Sequence, residues 1–257
     1  MKPWHDLTGH VAIVTGGNAG IGLGMARGLC RSGAAIAIWG TNADRNAAAV
    51  RELAGIGGDD RVTAMTVDVS DEDAVDDGVA RTAQHFGAVD SCFVNAGVGG
   101  HVDDIEAQET ADWHRTLAVN LHGAFHTMRA AARELRTQRR GGSLVVTSSL
   151  GALDGMPRNV SYAASKGAVI SMVRSLAVEL ARDAIRVNAL VPGWIDTAMT
   201  QPMLATSAVN QKILPRIPLR RWGTPDDFES TAVWLASPGS TYLTGQTIVL
   251  DGGYSIY

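Results

Sequence analysis

Tyr162 and Lys166 stand four residues apart in Tyr162-Ala163-Ala164-Ser165-Lys166, near the start of a predicted helix. That spacing puts both side chains on one helix face, within reach of a common ligand. A phenol and an ammonium so placed can give and take a proton beside a carbon that gains or loses hydride. A tyrosine starts near pKa 10, so service near neutrality needs a shift of about three units, roughly 4 kcal/mol. An ammonium about 4 Å from the phenolate supplies about 4 kcal/mol at an effective dielectric near 20, less what desolvation removes. The expectation is a Tyr162 made more acidic by Lys166. Pairs at this spacing are common by chance, so the reading depends on what surrounds them.

The elements that must position the pair form a regular alternation. Short apolar, β-branched runs at Val11–Thr15, Ala35–Trp39, Val62–Val67, Ser91–Val94, Ser143–Thr147, Ile185–Leu190 and Thr247–Leu250 predict strands. Amphipathic stretches near 20–32, 43–55, 71–86, 107–138, 161–182 and 225–236 predict helices between them, with Ser70 and Thr224 as capping residues. Near-continuous hydrophobicity of the strands requires cover on both faces. The fold class expected is α/β, a Rossmann-like three-layer doubly wound sandwich with a seven-stranded parallel sheet. No linker interrupts residues 1–257, which are taken as one domain. The stretch 194–223, punctuated by Pro202, Pro215, Pro218 and Gly223, reads as an insert that could form a substrate lid.

The first strand runs into Thr15-Gly16-Gly17-Asn18-Ala19-Gly20-Ile21-Gly22, followed by an apolar helix. Gly16 permits a tight turn, Gly20 a close backbone approach to a pyrophosphate, and Gly22 close packing of helix on strand. The helix N-terminus then faces the phosphates. With a strand before and a helix after it, the turn reads as a dinucleotide site. A nicotinamide would supply the hydride for the chemistry of Tyr162 and Lys166.

The T-G-x-x-x-G-x-G spacing resembles the fingerprint of the short-chain dehydrogenase/reductase family, compact single-domain branch. Its other motifs follow in order: Asn95-Ala96-Gly97, Asn120, Ser149, Tyr162-x-x-x-Lys166 and Pro192-Gly193. The resemblance spans residues 7 to 253 and implies catalytic roles for Asn120, Ser149, Tyr162 and Lys166. Ser149 would hold the substrate oxygen opposite Tyr162; the family's thirteen-residue offset to the tyrosine selects it over Ser148. Lys166 would also bind the nicotinamide ribose, and Asn120 a water of a proton relay, the plain alternative being a helix-bending asparagine. Asp68 and Val69 resemble the family's adenine clamp, though Asp68 could instead cap the next helix. Asn95, Ala96 and Gly97 would approach the adenosine ribose, and Pro192, Gly193, Ile195 and Thr197 the nicotinamide carboxamide. The resemblance further implies a homotetramer.

At the end of the second strand, Trp39-Gly40-Thr41-Asn42 should meet the adenosine ribose. An acid selecting NAD and an arginine accommodating a 2′-phosphate are both missing. Gly40 removes the carboxylate that would repel a phosphate, and Thr41 and Asn42 are neutral donors. The cofactor is therefore NAD(P)(H), with a lean to NADP(H).

The reaction expected is interconversion of a secondary alcohol and a ketone. The four-residue Tyr-to-Lys spacing departs from the wider pattern of enoyl reductases. Substrate walls are expected from Ser149, Gly151, Asp154 and Met156 and from the insert's Trp194 and Met199. The last two could equally be lid core, and Asp154 a sugar-hydroxyl acceptor or a turn cap. A 3-oxoacyl thioester reductase, with Arg136, Arg139, Arg140 or Arg182 meeting an acidic carrier, and a sugar or polyol dehydrogenase are alternatives. A non-catalytic dinucleotide sensor is a reading of another class.

With 257 residues, 46% hydrophobic and 19% charged, the chain can bury a core without disulfides or a structural metal. Cys30 and Cys92 read as reduced, buried thiols. A net charge of −4 without a basic stripe argues against a nucleic-acid partner. No apolar run is long enough to span a membrane, and the expected location is cytoplasmic. The seven histidines show no metal-ligand spacing, so no metal is expected.

Overall fold

Apolar runs without in/out alternation need cover on both faces, and in the computed structural model, which describes residues 3–257, they have it. The strands are β1 (Val11–Thr15), β2 (Ala35–Trp39), β3 (Val62–Met65), β4 (Ser91–Val94), β5 (Gly142–Thr147), β6 (Ile185–Pro192) and β7 (Thr247–Leu250). They form one parallel sheet in the order β3-β2-β1-β4-β5-β6-β7. β3 ends two residues before the expected Val67, and β6 runs on to Pro192.

The helices are α1 (Gly20–Arg31), α2 (Ala43–Gly57), α3 (Glu72–Phe86), α4 (Thr110–Leu117), α5 (Gly123–Gln138), α6 (Val160–Leu180), α7 (Gln201–Leu204), α8 (Ser207–Lys212) and α9 (Glu229–Ala236). One face of the sheet packs Ile13, Cys92, Leu144 and Val187 against Val75, Met128, Leu135 and Val169 of α3, α5 and α6. The other packs Ile36, Ile38 and Phe93 against Met25, Leu29, Leu53 and Leu235 of α1, α2 and α9. Cys30 and Cys92 are free and buried in these two separate layers. Burial pushes the Cys92 thiol up to about 12.

Two local expectations are corrected. Asp71, not Ser70, caps α3, its carboxylate accepting from Ala74 N, while Ser70 donates through its N–H and hydroxyl to Asp68. The single helix expected over 107–138 is α4 and α5 joined by a wide π turn at Ala118–His122. Thr224 caps the turn before α9 as expected, and Asp227 makes the cap reciprocal.

β1 lies between β2 and β4, so the connections leaving β1 and β4 diverge and open a crevice at the strands' C-terminal ends. The glycine turn after β1, Asn95–Gly97 after β4, Ser149 after β5 and the loop after β6 all stand along it. The 194–223 insert is closed at its base, where Asp196 N donates to Gly223 O and Gly223 N to Trp194 O. Leu204 and Ile217 are buried in it, whereas Met199 and Met203 are exposed. Among the described residues no helix is long and apolar enough to cross a membrane.

Candidate active site

The glycine turn makes one end of the crevice. Ala19 precedes α1 with no side-chain cap, and no acidic residue occupies the first turn, so the N–H groups of Gly20, Ile21 and Gly22 and the helix dipole are left for an anion. Gly16 and Gly20 have φ of 63° and 52°, and a Cβ on Gly22 would lie 2.3 Å from the Gly16 carbonyl. Thr197 leans over from the post-β6 loop, its methyl 3.3 Å from where a Gly20 Cβ would be. Uncapped donors inside a cradle that side chains would fill suit a pyrophosphate, so the residues present fit a dinucleotide.

Asn95 joins that turn to the neighbouring strands. Thr15 Oγ1 accepts from Asn95 N at 2.9 Å and Ala96 N at 3.0 Å, and Thr147 Oγ1 donates to Asn95 Oδ1 at 3.1 Å. A Cβ on Gly97 would stand 3.3 Å from Asn120 Oδ1 and 3.4 Å from Lys166 Nζ, so adenosine-side and catalytic residues meet there. In the post-β6 loop, Pro192 and Ile195 are buried, and the Ile195 carbonyl accepts from Thr200 Oγ1. A Cβ on Gly193 would collide with Asp251.

At the adenosine end Thr41 and Asn42 are exposed, and Asn42 Oδ1 caps α2 by accepting from Arg45 N. Asp68 serves the local turn with Oδ1, which takes both bonds from Ser70, and Val69 is buried beside it. Asn18 donates to Asn46, a residue the sequence reading did not single out. The signal was available: Asn46 shares the buried stripe of α2 with Ala49, Leu53 and Gly57, and a polar residue on such a stripe requires partners.

At the catalytic end α6 carries Tyr162 and Lys166. The phenol stands beside the Ser149 hydroxyl, which favours its ionised form, and the Ser149 oxygen accepts from Gly151 N at 3.1 Å. Ser148 is buried and donates to the carbonyl of Lys166 at 2.8 Å, so of the two serines only Ser149 meets the tyrosine. Lys166 is 4% exposed; its Nζ lies 5.7 Å from the centre of the Tyr162 ring and donates to the Thr147 carbonyl at 2.9 Å.

The expected acidification of Tyr162 is not what this geometry gives. Burial holds the phenol above its ordinary value, with the Ser149 bond pulling the other way, and burial lowers Lys166 to about 8. The ammonium faces the ring and a carbonyl, and desolvation outweighs attraction to the phenolate.

Asn120 sits in the π turn, 1% exposed. Its Oδ1 accepts from Val98 N at 2.8 Å, and its Nδ2 donates to Val98 O at 2.9 Å and Ser165 Oγ at 3.2 Å. Its side chain thus clamps the segment after Gly97. Of the expected substrate residues, Gly151 and Met156 adjoin Ser149, Met156 Sδ lying 2.7 Å from where a Gly151 Cβ would be. Asp154 and Met199 are exposed. Trp194 packs against Trp222 and Tyr254 and lines a cavity of about 210 Å³ that contains neither Ser149 nor Tyr162. Among the described residues no His, Cys, Asp and Glu cluster could hold a metal.

Residues 16–255 match a family model described as enoyl-(acyl carrier protein) reductase. The chain is 37% identical over 247 residues to a 3-oxoacyl-[acyl-carrier-protein] reductase of Chlamydia pneumoniae, covering 96% of this chain and 97% of that one. It is 36% identical over 249 residues to a 2-dehydro-3-deoxy-D-gluconate 5-dehydrogenase of Dickeya dadantii, covering 97% and 96%. Among solved structures, a gluconate 5-dehydrogenase of Burkholderia cenocepacia in complex with NADP and tartrate superposes with a TM-score of 0.92, at 31% identity over 99% of this chain and 98% of that one.

Proposed function

The chain belongs to the short-chain dehydrogenase/reductase family and is an NAD(P)-dependent oxidoreductase acting on CH–OH and C=O groups; from that premise we propose that it interconverts a secondary alcohol and a ketone, with NADP(H) as the better cofactor. The observation that carries the reading is the Tyr162 phenol set beside Ser149 in the crevice, with Lys166 buried behind it.

A bound nicotinamide would supply hydride to the carbonyl carbon, or take it from the carbinol carbon. Gly20, Ile21 and Gly22 would hold the pyrophosphate, and Asn95, Ala96, Gly97 and the loop from Pro192 to Thr197 the two riboses and the carboxamide. Ser149 donates to the substrate oxygen and stabilises charge developing there. Tyr162 gives its proton to that oxygen in reduction and receives it in oxidation. Lys166, held by the Thr147 carbonyl, presents a cation behind the phenol. The serine partner and the four-residue Tyr-to-Lys spacing support carbonyl chemistry over double-bond reduction.

Within this class, a hydroxylated ketone or sugar acid is favoured over a carrier-bound 3-oxoacyl thioester. Arg136 is engaged by Asp183 and Glu179, and Arg140 by Asp90, which leaves two of the four arginines considered for an acidic carrier already paired. The Asp154 carboxylate makes no hydrogen bond or ion pair among the described residues and stands exposed five residues from Ser149, where it can accept substrate hydroxyls. Both cofactors should be assayed against a panel of keto-sugar acids, simple ketones and 3-oxoacyl thioesters. Stoichiometric NADPH oxidation that falls about 10²- to 10⁴-fold in Tyr162→Phe is the expected result. Cofactor binding without turnover across the panel would reject the reading in favour of a dinucleotide sensor.

A further inference from the structure

Asn46 lies outside every dinucleotide motif, yet it joins the three chain segments that shape the adenosine end. It is the fourth residue of α2 and 5% exposed. Its Nδ2 donates to the Gly40 carbonyl at 2.9 Å and to the Met65 carbonyl at 3.3 Å, holding the C-terminal ends of β2 and β3. Its Oδ1 accepts from Asn18 Nδ2 at 2.7 Å, which fixes the glycine turn against the same point. A buried amide with both ends engaged is a rigid post.

The post closes over Gly40. A Cβ at that position would lie 2.2 Å from Asn18 Nδ2 and 2.7 Å from Asn46 Oδ1. Dinucleotide folds that select NAD commonly place a carboxylate in this region to accept the ribose hydroxyls. Here the space for its stem is filled by two neutral amides. A carboxylate would repel a 2′-phosphate, whereas an amide N–H donates to one. Among the described residues, Asn46 is the one hydrogen-bond partner of the Asn18 side chain.

We propose that Asn46 is a positioning residue for cofactor selection: through Asn18 it fixes an amide at the adenosine ribose and excludes an acid from position 40, so that the 2′-phosphate of NADP(H) is admitted. The inference rests on the NADP(H) reading above and adds the residue that enforces it. Asn46 acts through Asn18, so both should fail in the same way.

Fluorescence titrations with NADPH and NADH would give the dissociation constants of the unsubstituted chain, Asn46→Ala, Asn18→Ala and the double variant. Loss of one hydrogen bond to a charged group is worth roughly tenfold or more. Each single variant should therefore bind NADPH about tenfold more weakly, with a clearly smaller loss for NADH, whose pyrophosphate shares the same glycine turn. The double variant should be no worse than either single one, because the two side chains act as a unit. Gly40→Ala, which drives a methyl into the pair but leaves both asparagines, should show the same selective loss and guards against misfolding of Asn46→Ala. Equal losses for the two cofactors, no loss, or additive losses would overturn the proposal. An unsubstituted chain that prefers NADH would instead overturn the NADP(H) reading itself.

Discussion

Replacing Lys166 by methionine should make the cofactor-free protein more stable and inactive at once. The ammonium is 4% exposed, and its protein acceptor is the Thr147 carbonyl at 2.9 Å. Burial lowers the group from its ordinary 10.5 to about 8, a gap of about 2.5 units. At 1.36 kcal/mol per unit, holding the charge at neutral pH costs on the order of 3 kcal/mol. Methionine is apolar and of similar length, so it removes that cost. It also leaves the Thr147 carbonyl short of a donor, which takes back about 1 kcal/mol. The net expectation is a variant more stable by about 2 kcal/mol at pH 7.

The pH dependence separates this cause from better packing. Below pH 8 the lysine is charged in both states and the full cost is present. Between pH 8 and about 10.5 the unfolded chain keeps the proton that the folded one has shed, so the unsubstituted protein gains stability as pH rises. The advantage of Lys166→Met should therefore shrink across that window. Tyr162, which burial holds above its ordinary value, is the same in both proteins and largely cancels in the difference. Urea unfolding of both proteins at pH 7, 8, 9 and 10 would measure the difference. A gain that does not change with pH, or a variant less stable at pH 7, would refute the account of the buried charge.

The two adjacent serines should separate cleanly. Ser149→Ala removes the neighbour of Tyr162 and is expected to lower kcat by about 10²- to 10³-fold, with a cost of about 1 kcal/mol for the lost bond from Gly151 N, whereas Ser148→Ala loses only the bond to the Lys166 carbonyl, costs about 1 kcal/mol and leaves kcat within a few-fold; steady-state rates and urea midpoints of both variants would check this. Because burial keeps the Tyr162 proton on at neutral pH, the acid for ketone reduction is ready there and the base for alcohol oxidation is not. Rate profiles should show reduction flat between pH 6 and 8 and oxidation climbing with pH; oxidation equally fast at pH 6 and 9 would contradict it.

Most of the strand pattern was legible because strands covered on both faces must be apolar throughout, and β1, β2, β4 and β7 begin and end where composition places them. The glycine turn was legible because only residues lacking a Cβ can build it. What escaped the sequence was set by contacts distant along the chain. The π turn at Ala118–His122 contains neither proline nor glycine; the Asn120 clamp on Val98 and Ser165 holds it, and both partners come from other elements. The cap of α3 fell to Asp71 because Asp68, expected at the adenine, already holds Ser70. Asn46 went unnoticed because its partners are two strand-end carbonyls and a loop amide.

The acidity of Tyr162 is the instructive miss, since the attraction invoked was of the right size. An ammonium about 4 Å from a phenolate offsets a three-unit shift only if both groups stay hydrated until they meet. In the fold the ammonium lies over the ring face, 5.7 Å from its centre, and is directed to the Thr147 carbonyl; Lys166 is buried and Tyr162 half-buried. Desolvation then lifts the phenol and depresses the lysine. Spacing along a helix tells which groups share a face; it does not tell how much water they keep. The arrangement holds a neutral acid at Tyr162 and a loosely bound proton on Lys166 close behind it. That is the protonation state a ketone needs on arrival, and burial sets it against the opposite pull of Ser149.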